Sequence, residues 1–316
     1  MSTTPAVSGT DLSVRFCGLE LKNPLIAASG TFGYGLEFED VVQLDKLGGF
    51  VVKGLSREPI TGNPPPRLFE TAAGMLNAIG LQNVGAQAFI DEKLPRLREK
   101  KNIVVFANVF GYTRDDYERT IQILNGGEGI AAYELNVSCP NTAHGGIQFG
   151  SDPHLLEEVV RKAKRVAEKP LIVKLSPNVT SIALMARVAE EAGADALSLV
   201  NTFLAMAVDA ETRRPRIANI TAGLSGPAIK PIALRMVYEA SKAVKIPILG
   251  MGGVSTGEDV VEFMLAGATA VQIGTASYWD PCGTETVVDE LTRWCNDRKI
   301  ARLAELTGGL QTGSAG

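Results

Sequence analysis

The chain has 316 residues, of which 45% are hydrophobic and 21% are charged, and its formal net charge is −4. This composition is typical of a globular protein with a substantial core, and the slightly acidic balance excludes a basic surface for nucleic acid. The N-terminus has no signal-peptide pattern and no apolar stretch approaches the roughly 18 residues of a membrane span, so we expect a cytoplasmic protein that binds neither nucleic acid nor membrane.

Eight short apolar segments rich in Val, Ile and Leu recur along the chain, and a stretch with helical periodicity follows each of them. The predicted strands are LIAASG from Leu25, GGFVVKG from Gly48, IVVFANV from Ile103, AAYELNVS from Ala131, PLIVKLS from Pro170, ALSLVNT from Ala196, IPILGMGG from Ile246 and AVQIGT from Ala270. This alternation indicates a parallel sheet built from βαβ units, and eight units at this length predict an α/β fold, the (β/α)8 TIM barrel. No linker interrupts the series, so we expect a single domain over residues 1–316.

Three further features complete the predicted barrel. The first 22 residues contain DLSVRFCGLEL, which indicates a short N-terminal hairpin at the bottom of the barrel. Helix starts carry plausible caps, Ser181 in one helix and Asp152 followed by Pro153 in another. Residues 54–85 and 201–231 form two long connections, and connections of this length usually carry function or fold over a site.

Polar residues and glycines end the predicted strands, where the active sites of barrel enzymes lie. They are Ser29, Lys53, Asn108, Asn136, Lys174, Asn201, Gly252 with Gly253, and Gly274 with Thr275. The Asn, Ser and Gly residues among them, taken one at a time, are also common turn residues. Together they predict one polar mouth at the carboxyl ends of the strands.

Lys53 and Lys174 both follow apolar strands, so their amines emerge where an unpaired charge is costly to bury. An anionic partner is therefore expected, and a salt bridge to a neighbouring glutamate is the alternative. The glycines after strands seven and eight let the backbone approach a ligand closely, at the usual phosphate-binding loops of a barrel. This pairing predicts a cofactor that carries a phosphate.

Cys139 lies three residues beyond Asn136, on the loop after strand four. A buried, inert thiol is the simplest alternative, but the flanking Ser138, Pro140 and the glycines that follow favour a reactive thiol at the mouth. A free thiol has a pKa of about 8.5, so a modest lowering would make it a general base. The four cysteines are widely scattered and no CxxC pair occurs, so we expect no metal site in this chain.

The chain resembles the FMN-dependent dihydroorotate dehydrogenases of pyrimidine biosynthesis from about Leu12 to the end of the barrel. The resemblance lies in VVKG, ETAAGMLNAIGLQN, FANVFG, NVSCPNTAHGG, VKLSPN, LVNT, GLSGPAIKP, GMGGV and QIGTA. Cysteine at position 139 is similar to class 1. Class 2 enzymes have serine there and an N-terminal membrane-binding extension, which we do not expect here. GMLNAIGLQN and CPNTAHGG resemble subclass 1B.

Subclass 1B implies oxidation of (S)-dihydroorotate to orotate with FMN, and transfer of the electrons to NAD+ through a partner subunit that carries FAD and a [2Fe-2S] cluster. A heterotetramer of two catalytic and two partner chains is then expected. The alternatives are a fumarate-reducing homodimer of subclass 1A, an FMN subunit similar to that of dihydropyrimidine dehydrogenase, and a catalytically silent barrel that serves in binding or assembly.

The resemblance also implies roles for individual residues. Cys139 would remove the C5 proton of the substrate, and Lys174 would lie near N1 and O2 of the flavin. The implied substrate-binding residues are Lys53, Asn77, Ala78, Ile79, Gly80, Leu81, Asn136, Asn201 and Thr202. The implied FMN-binding residues are Ser29, Lys53, Gly54, Asn108, Asn136, Lys174, Val200, Gly226, Gly252, Gly253, Gly274 and Thr275, the last four at the phosphate.

Overall fold

The computed structural model describes residues 9–138 and 149–313. Its strands are β1 (Val14–Phe16), β2 (Leu19–Leu21), β3 (Leu25–Ala27), β4 (Gly49–Val51), β5 (Leu68–Thr71), β6 (Gly74–Asn77), β7 (Val105–Val109), β8 (Ile130–Asn136), β9 (Leu171–Lys174), β10 (Ala196–Leu199), β11 (Phe203–Met206), β12 (Val208–Asp209), β13 (Arg214–Pro215), β14 (Thr221–Ser225), β15 (Ile248–Met251) and β16 (Ala270–Ile273). Eight of them close a parallel barrel in the order β3, β4, β7, β8, β9, β10, β15 and β16. These are the eight predicted strands, so the (β/α)8 prediction is confirmed.

Helices alternate with the barrel strands. Their bounds are α1 (Ala86–Ala88) and α2 (Leu94–Arg98), joined by the π-helical turn Phe89–Lys93, then α3 (Arg114–Asn125), α4 (Pro153–Val166), α5 (Ile182–Glu191), α6 (Lys230–Ala243), α7 (Gly257–Leu265), α8 (Ala276–Trp279) and α9 (Gly283–Asp297). The predicted caps are confirmed: the Ser181 hydroxyl accepts a hydrogen bond from the Leu184 amide (3.2 Å), and Asp152 accepts one from His154 (2.9 Å). No helix of the described residues has the length and hydrophobicity of a membrane span.

The predicted N-terminal hairpin is formed by β1 and β2, which pair antiparallel. Phe16 is 0% and Leu21 is 1% exposed, and both belong to the main hydrophobic core. Cys17, at the turn of the hairpin, lies close enough to Asp195 and Lys164 for their charges to act on its thiol. Because Asp195 directly precedes β10, the hairpin lies at the amino ends of the barrel strands, as expected.

The two long connections join to form a second sheet, which the sequence did not predict. β5 and β6 come from the first connection, β11 and β14 from the second, and they pair antiparallel in the order β11, β14, β6, β5. The central contact pairs Asn77 with Gly223. Both connections begin at the carboxyl ends of barrel strands, so this four-stranded sheet lies on the side of the predicted mouth.

Candidate functional site

A cavity with about 1300 Å³ of empty space, open to solvent, lies at the carboxyl ends of the barrel strands. Ligands bind preferentially in concave sites of this kind, so the cavity is the candidate binding site of the chain. All of the predicted binding residues line it: Ser29, Lys53, Gly54, Asn77, Ala78, Ile79, Gly80, Leu81, Asn108, Asn136, Lys174, Val200, Asn201, Thr202, Gly226, Gly252, Gly253, Gly274 and Thr275. Cys139 lies outside the described residues, so its predicted place at the mouth stays a prediction.

Glu134, in β8, is a buried residue that contacts the cavity wall, and sequence reasoning missed it. Its carboxylate is 0% exposed and accepts hydrogen bonds from the Asn108 amide (2.6 Å) and the Gln272 amide (2.7 Å). The Lys174 ammonium lies 3.4 Å from the same carboxylate. The salt bridge to a glutamate, which the sequence left open as an alternative, is therefore present for Lys174, although Lys174 also lines the cavity.

Two side-chain carbonyl oxygens in this cluster have no partner among residues 9–138 and 149–313. They are Oδ1 of Asn108 and Oε1 of Gln272, and both residues are at most 1% exposed and line the cavity. An unsatisfied buried acceptor costs about 1–3 kcal/mol. An unpartnered acceptor on a residue that lines a cavity is a candidate partner for a hydrogen-bond donor on a ligand.

Asn136 and Asn201 meet across the cavity wall through Ser138. The Asn201 amide donates to the Ser138 hydroxyl and to Oδ1 of Asn136 (3.4 Å), and the Ser138 hydroxyl donates to the same Oδ1 (3.1 Å). From the four-stranded sheet, the Asn77 amide donates to the Gly223 carbonyl (3.3 Å). Three carboxamides from separate segments are therefore held at one cavity, as predicted.

Lys53 and Ser29 stand on the neighbouring strand ends. The Lys53 backbone amide donates to the Gly33 carbonyl (2.8 Å), and the Ser29 hydroxyl donates to the Val52 carbonyl (2.8 Å). A Cβ atom added to Gly30 would come within 3.8 Å of Nζ of Lys53. The ends of β3 and β4 are thus tied together, with the Lys53 side chain in the cavity wall.

The glycines after β15 and β16 lie in close backbone contact with the rest of the mouth. Gly253 has φ +78°, and a Cβ atom there would come within 2.8 Å of the Gly226 carbonyl oxygen. A Cβ atom on Gly274 would meet only ordinary contacts, the nearest at 3.5 Å. No protein atom crowds the backbone at Gly274, which lines the cavity, and this suits an anion at the backbone amides.

Lys230 fixes the loop after β15 instead of facing a ligand. Its ammonium pairs with Asp259 (2.6 Å) and Glu262 (2.9 Å), and Asp259 also accepts from the Ser255 amide (2.8 Å). Burial alone would raise the pKa of Asp259, but these hydrogen bonds, first the one from Lys230, hold it below its usual value. The network connects the start of α6 to the start of α7.

Glu134 and Gln272 each carried a signal in the sequence. Buried strands of parallel sheets read as nearly continuous apolar runs, yet a carboxylate interrupts AAYELNVS and an amide interrupts AVQIGT. A charged or polar side chain in such a strand must find partners inside the barrel. Tyr278 and Trp279, in α8 at the cavity rim, carried no comparable signal.

A closed (β/α)8 barrel with a polar cavity at the carboxyl ends of its strands has the architecture of a barrel enzyme. Comparison with known proteins gives its family. The family model described as dihydroorotate dehydrogenase matches residues 11–294. The chain belongs to the dihydroorotate dehydrogenase family.

Similar proteins from bacteria agree with this assignment. A protein of Solibacter usitatus named putative dihydroorotate dehydrogenase A (fumarate) is 61% identical over 95% of this chain and 98% of its own. A protein of Citrifermentans bemidjiense named dihydroorotate dehydrogenase B (NAD(+)), catalytic subunit, is 53% identical over the same shares. A Geobacter protein (strain M21) with that second name is 52% identical, again over 95% and 98%. The relatives thus share an enzyme class and differ in the electron acceptor that they are named for.

Proposed function

We propose that the chain oxidises (S)-dihydroorotate to orotate in pyrimidine biosynthesis, with FMN as its cofactor. The observation that carries the proposal is that every described residue predicted to bind substrate or FMN lines one cavity in a chain of this family. In this proposal residues 1–316 form a single FMN-binding barrel domain.

The cavity has features that fit a flavin nucleotide. The unpartnered oxygens of Asn108 and Gln272 suit the imide N–H of an isoalloxazine ring, and the uncrowded backbone at Gly274 suits a phosphate. The residues that would hold the flavin are Ser29, Lys53, Gly54, Asn108, Asn136, Lys174, Val200 and Gly226, with Gly252, Gly253, Gly274 and Thr275 at its phosphate. When bound, FMN accepts the hydride that leaves C6 of the substrate.

The side chains of this chain orient the substrate and take its proton. Lys53 and the segment of residues 77–81 receive the substrate carboxylate, while Asn77, Asn136 and Asn201, with Thr202, bind the amide edges of the pyrimidine. Cys139 removes the proton from C5, because the pKa of a thiol is close enough to neutral pH for its thiolate to act as a base. The ammonium of Lys174 provides a fixed positive charge beside the electron-accepting ring.

The first test uses the purified chain under anaerobic conditions. We expect a yellow protein that releases FMN on denaturation and is bleached by dihydroorotate, with orotate formed in equal amount. Heat-denatured protein mixed with free FMN is the control for bleaching without the site. A chain that cannot take up FMN, or a bound flavin that dihydroorotate leaves oxidised, would contradict the proposal.

The electron acceptor is a second part of the proposal. The relatives named catalytic subunits support a partner subunit, and we propose that it carries FAD and a [2Fe-2S] cluster, passes electrons to NAD+ and forms a heterotetramer with two copies of this chain. The Solibacter relative named for fumarate supports the alternative of a fumarate-reducing homodimer.

An acceptor assay separates these two possibilities. The chain alone, reduced by dihydroorotate, is mixed with NAD+ or with fumarate, and reoxidation of the flavin is followed. Slow reoxidation by both acceptors, with rapid NAD+ reduction after addition of the partner subunit, supports the heterotetramer. Rapid fumarate reduction by the chain alone supports the homodimer.

A further inference from the structure

We infer that Glu134 is a positioning residue that orients the amides of Asn108 and Gln272, and that Gln272 is a further cofactor contact. The inference rests on the proposed function, because the ligand it concerns is the flavin. Glu134 comes from β8, Asn108 from β7 and Gln272 from β16, so one buried carboxylate joins three strands of the barrel.

The orientation follows from the chemistry of the carboxylate. An ionised carboxylate only accepts hydrogen bonds, so an amide next to it must present its NH₂ group. Asn108 donates to Oε1 and Gln272 donates to Oε2 of Glu134, at 2.6 and 2.7 Å. Both amide oxygens are consequently turned away from Glu134.

The freed oxygens lack hydrogen-bond donors within the part of the chain that the structure describes, although Asn108 and Gln272 both line the cavity. A Cβ atom on Gly54, which also lines the cavity, would come within 2.8 Å of Oδ1 of Asn108, so the absence of a side chain at position 54 leaves room for this oxygen. Gly54 thus permits this orientation of Asn108, and the hydrogen bond to Glu134 selects it.

The ligand group that complements the two amide oxygens and the Lys174 ammonium is an N–H donor beside electron-rich atoms. The two oxygens match an N–H, and the Lys174 ammonium, 3.4 Å from Glu134, matches an atom that gains negative charge. The imide edge of an isoalloxazine ring combines both properties. Glu134 therefore acts through its neighbours, whereas Gln272 contacts the ring directly.

Replacement of Glu134 by Gln gives a specific expectation. A glutamine at this position has one acceptor oxygen and one NH₂ group, and its NH₂ group needs an acceptor of its own. Asn108 or Gln272 must then turn its oxygen towards position 134, and its NH₂ group faces the flavin N–H. Two donors would oppose each other at the ring.

The experiment measures FMN binding to apoprotein by quenching of flavin fluorescence, together with the visible spectrum of the bound flavin. We expect the Kd to rise about a hundredfold in Glu134→Gln and about tenfold in Gln272→Met. The flavin bands shift in Glu134→Gln and return to their wild-type positions in Glu134→Asp, which is again an acceptor only. If Glu134→Gln does not fold, the Kd of Gln272→Met for FMN tests the inference.

Thr284→Val is the matched control, because the Thr284 hydroxyl is also buried without a partner among the described residues but lies outside the cavity. It should leave the Kd and the spectrum unchanged. Wild-type Kd and spectrum in Gln272→Met and in folded Glu134→Gln would overturn the inference alone. A wild-type chain that binds no FMN would overturn the proposed function as well.

Discussion

Buried polar side chains at the two ends of the barrel differ in their hydrogen bonding. At the amino ends, beneath the hairpin, the Asn23 side chain is satisfied on both sides: its amide donates to the Lys46 carbonyl (2.8 Å) and its oxygen accepts from the Leu25 amide (3.0 Å). At the carboxyl ends, Asn108 and Gln272 are equally buried, yet each keeps an unpartnered oxygen in the described structure. We infer from this difference that the amino ends of the strands stabilise the fold, whereas the carboxyl ends bind a ligand.

We expect the chemistry of the cysteines to follow the same division. Burial raises the pKa of the Cys17 thiol, at the hairpin end, to about 12, with a smaller contribution from the Asp195 charge. A thiol with that pKa stays protonated near neutral pH and is a poor nucleophile or base. The proposed base, Cys139, follows the end of β8 by three positions in the sequence and lies outside the described residues, so a place at the opposite end is a prediction.

The largest effect is expected for Cys139→Ala. Loss of a general base typically lowers a rate by about 10²–10⁴-fold, and we expect this loss in anaerobic flavin reduction by dihydroorotate, measured by stopped flow. FMN content should stay at the wild-type level. Cys17→Ala is the control and should leave the rate of reduction unchanged. An unaltered rate in Cys139→Ala would mean that another group takes the proton.

Phe16→Ala should affect the opposite end. Phe16 is 0% exposed, and removing such a side chain from a core costs about 3–5 kcal/mol of the free energy of unfolding. Denaturant titration measures the loss. The rate of flavin reduction per bound FMN should not change, and a comparable loss of this rate would show that the two ends are not separate in function.

Asp259→Asn should have an intermediate effect at the mouth. The carboxylate accepts from Lys230 and from two backbone amides, and we expect a loss of about 1–3 kcal/mol in the free energy of unfolding at pH 7. Because the folded pKa of Asp259 lies below its ordinary value, its contribution is complete above the unfolded pKa of about 4 and is lost as pH falls through the folded pKa.

Unfolding of wild type and Asp259→Asn should therefore be compared at pH 7 and at pH 3. We expect the difference between the two proteins to shrink at the lower pH. A difference that stays constant across this range would contradict the charge-based explanation and indicate a loss of packing.

The smallest effect is expected for Gly274→Ala. An added methyl group meets only ordinary contacts in the protein, so the stability of the apoprotein should stay within about 0.5 kcal/mol of wild type. FMN should bind about tenfold more weakly, because the methyl group takes up space proposed for its phosphate. Riboflavin, which lacks the phosphate, is the control ligand and should lose less affinity. Equal losses for both flavins would contradict a phosphate at Gly274.

The barrel was predictable because each of its strands is an apolar run with a helix behind it. The four-stranded sheet over the mouth was not. β5 alternates between exposed and half-buried residues, and its sheet pairs Asn77 with Gly223, 146 residues further along the chain, so no local apolar pattern marks the pairing. The length of the two connections indicated that they were functional, but it did not indicate that their strands pair with each other.

The candidate site was predictable where its residues stand at strand ends. Lys53, Asn136 and Lys174 emerge there into the cavity, so their position on the strand was sufficient. Glu134 and Gln272 lie inside strands, and their partners come from other strands that only the closed barrel brings near. Their hydrogen bonds therefore had to come from the structure.

The antiparallel contact between β6 and β14 has a consequence for protein engineering. Asn77 and Gly223 are register partners, and a Cβ atom on Gly223 would collide with the Thr202 side chain. Residues 68–77 and 203–225 thus depend on each other structurally, although they are far apart along the chain. Chimeras with a homologous barrel should exchange both segments together. If only one segment is exchanged, its strand must pair with a strand from the other protein.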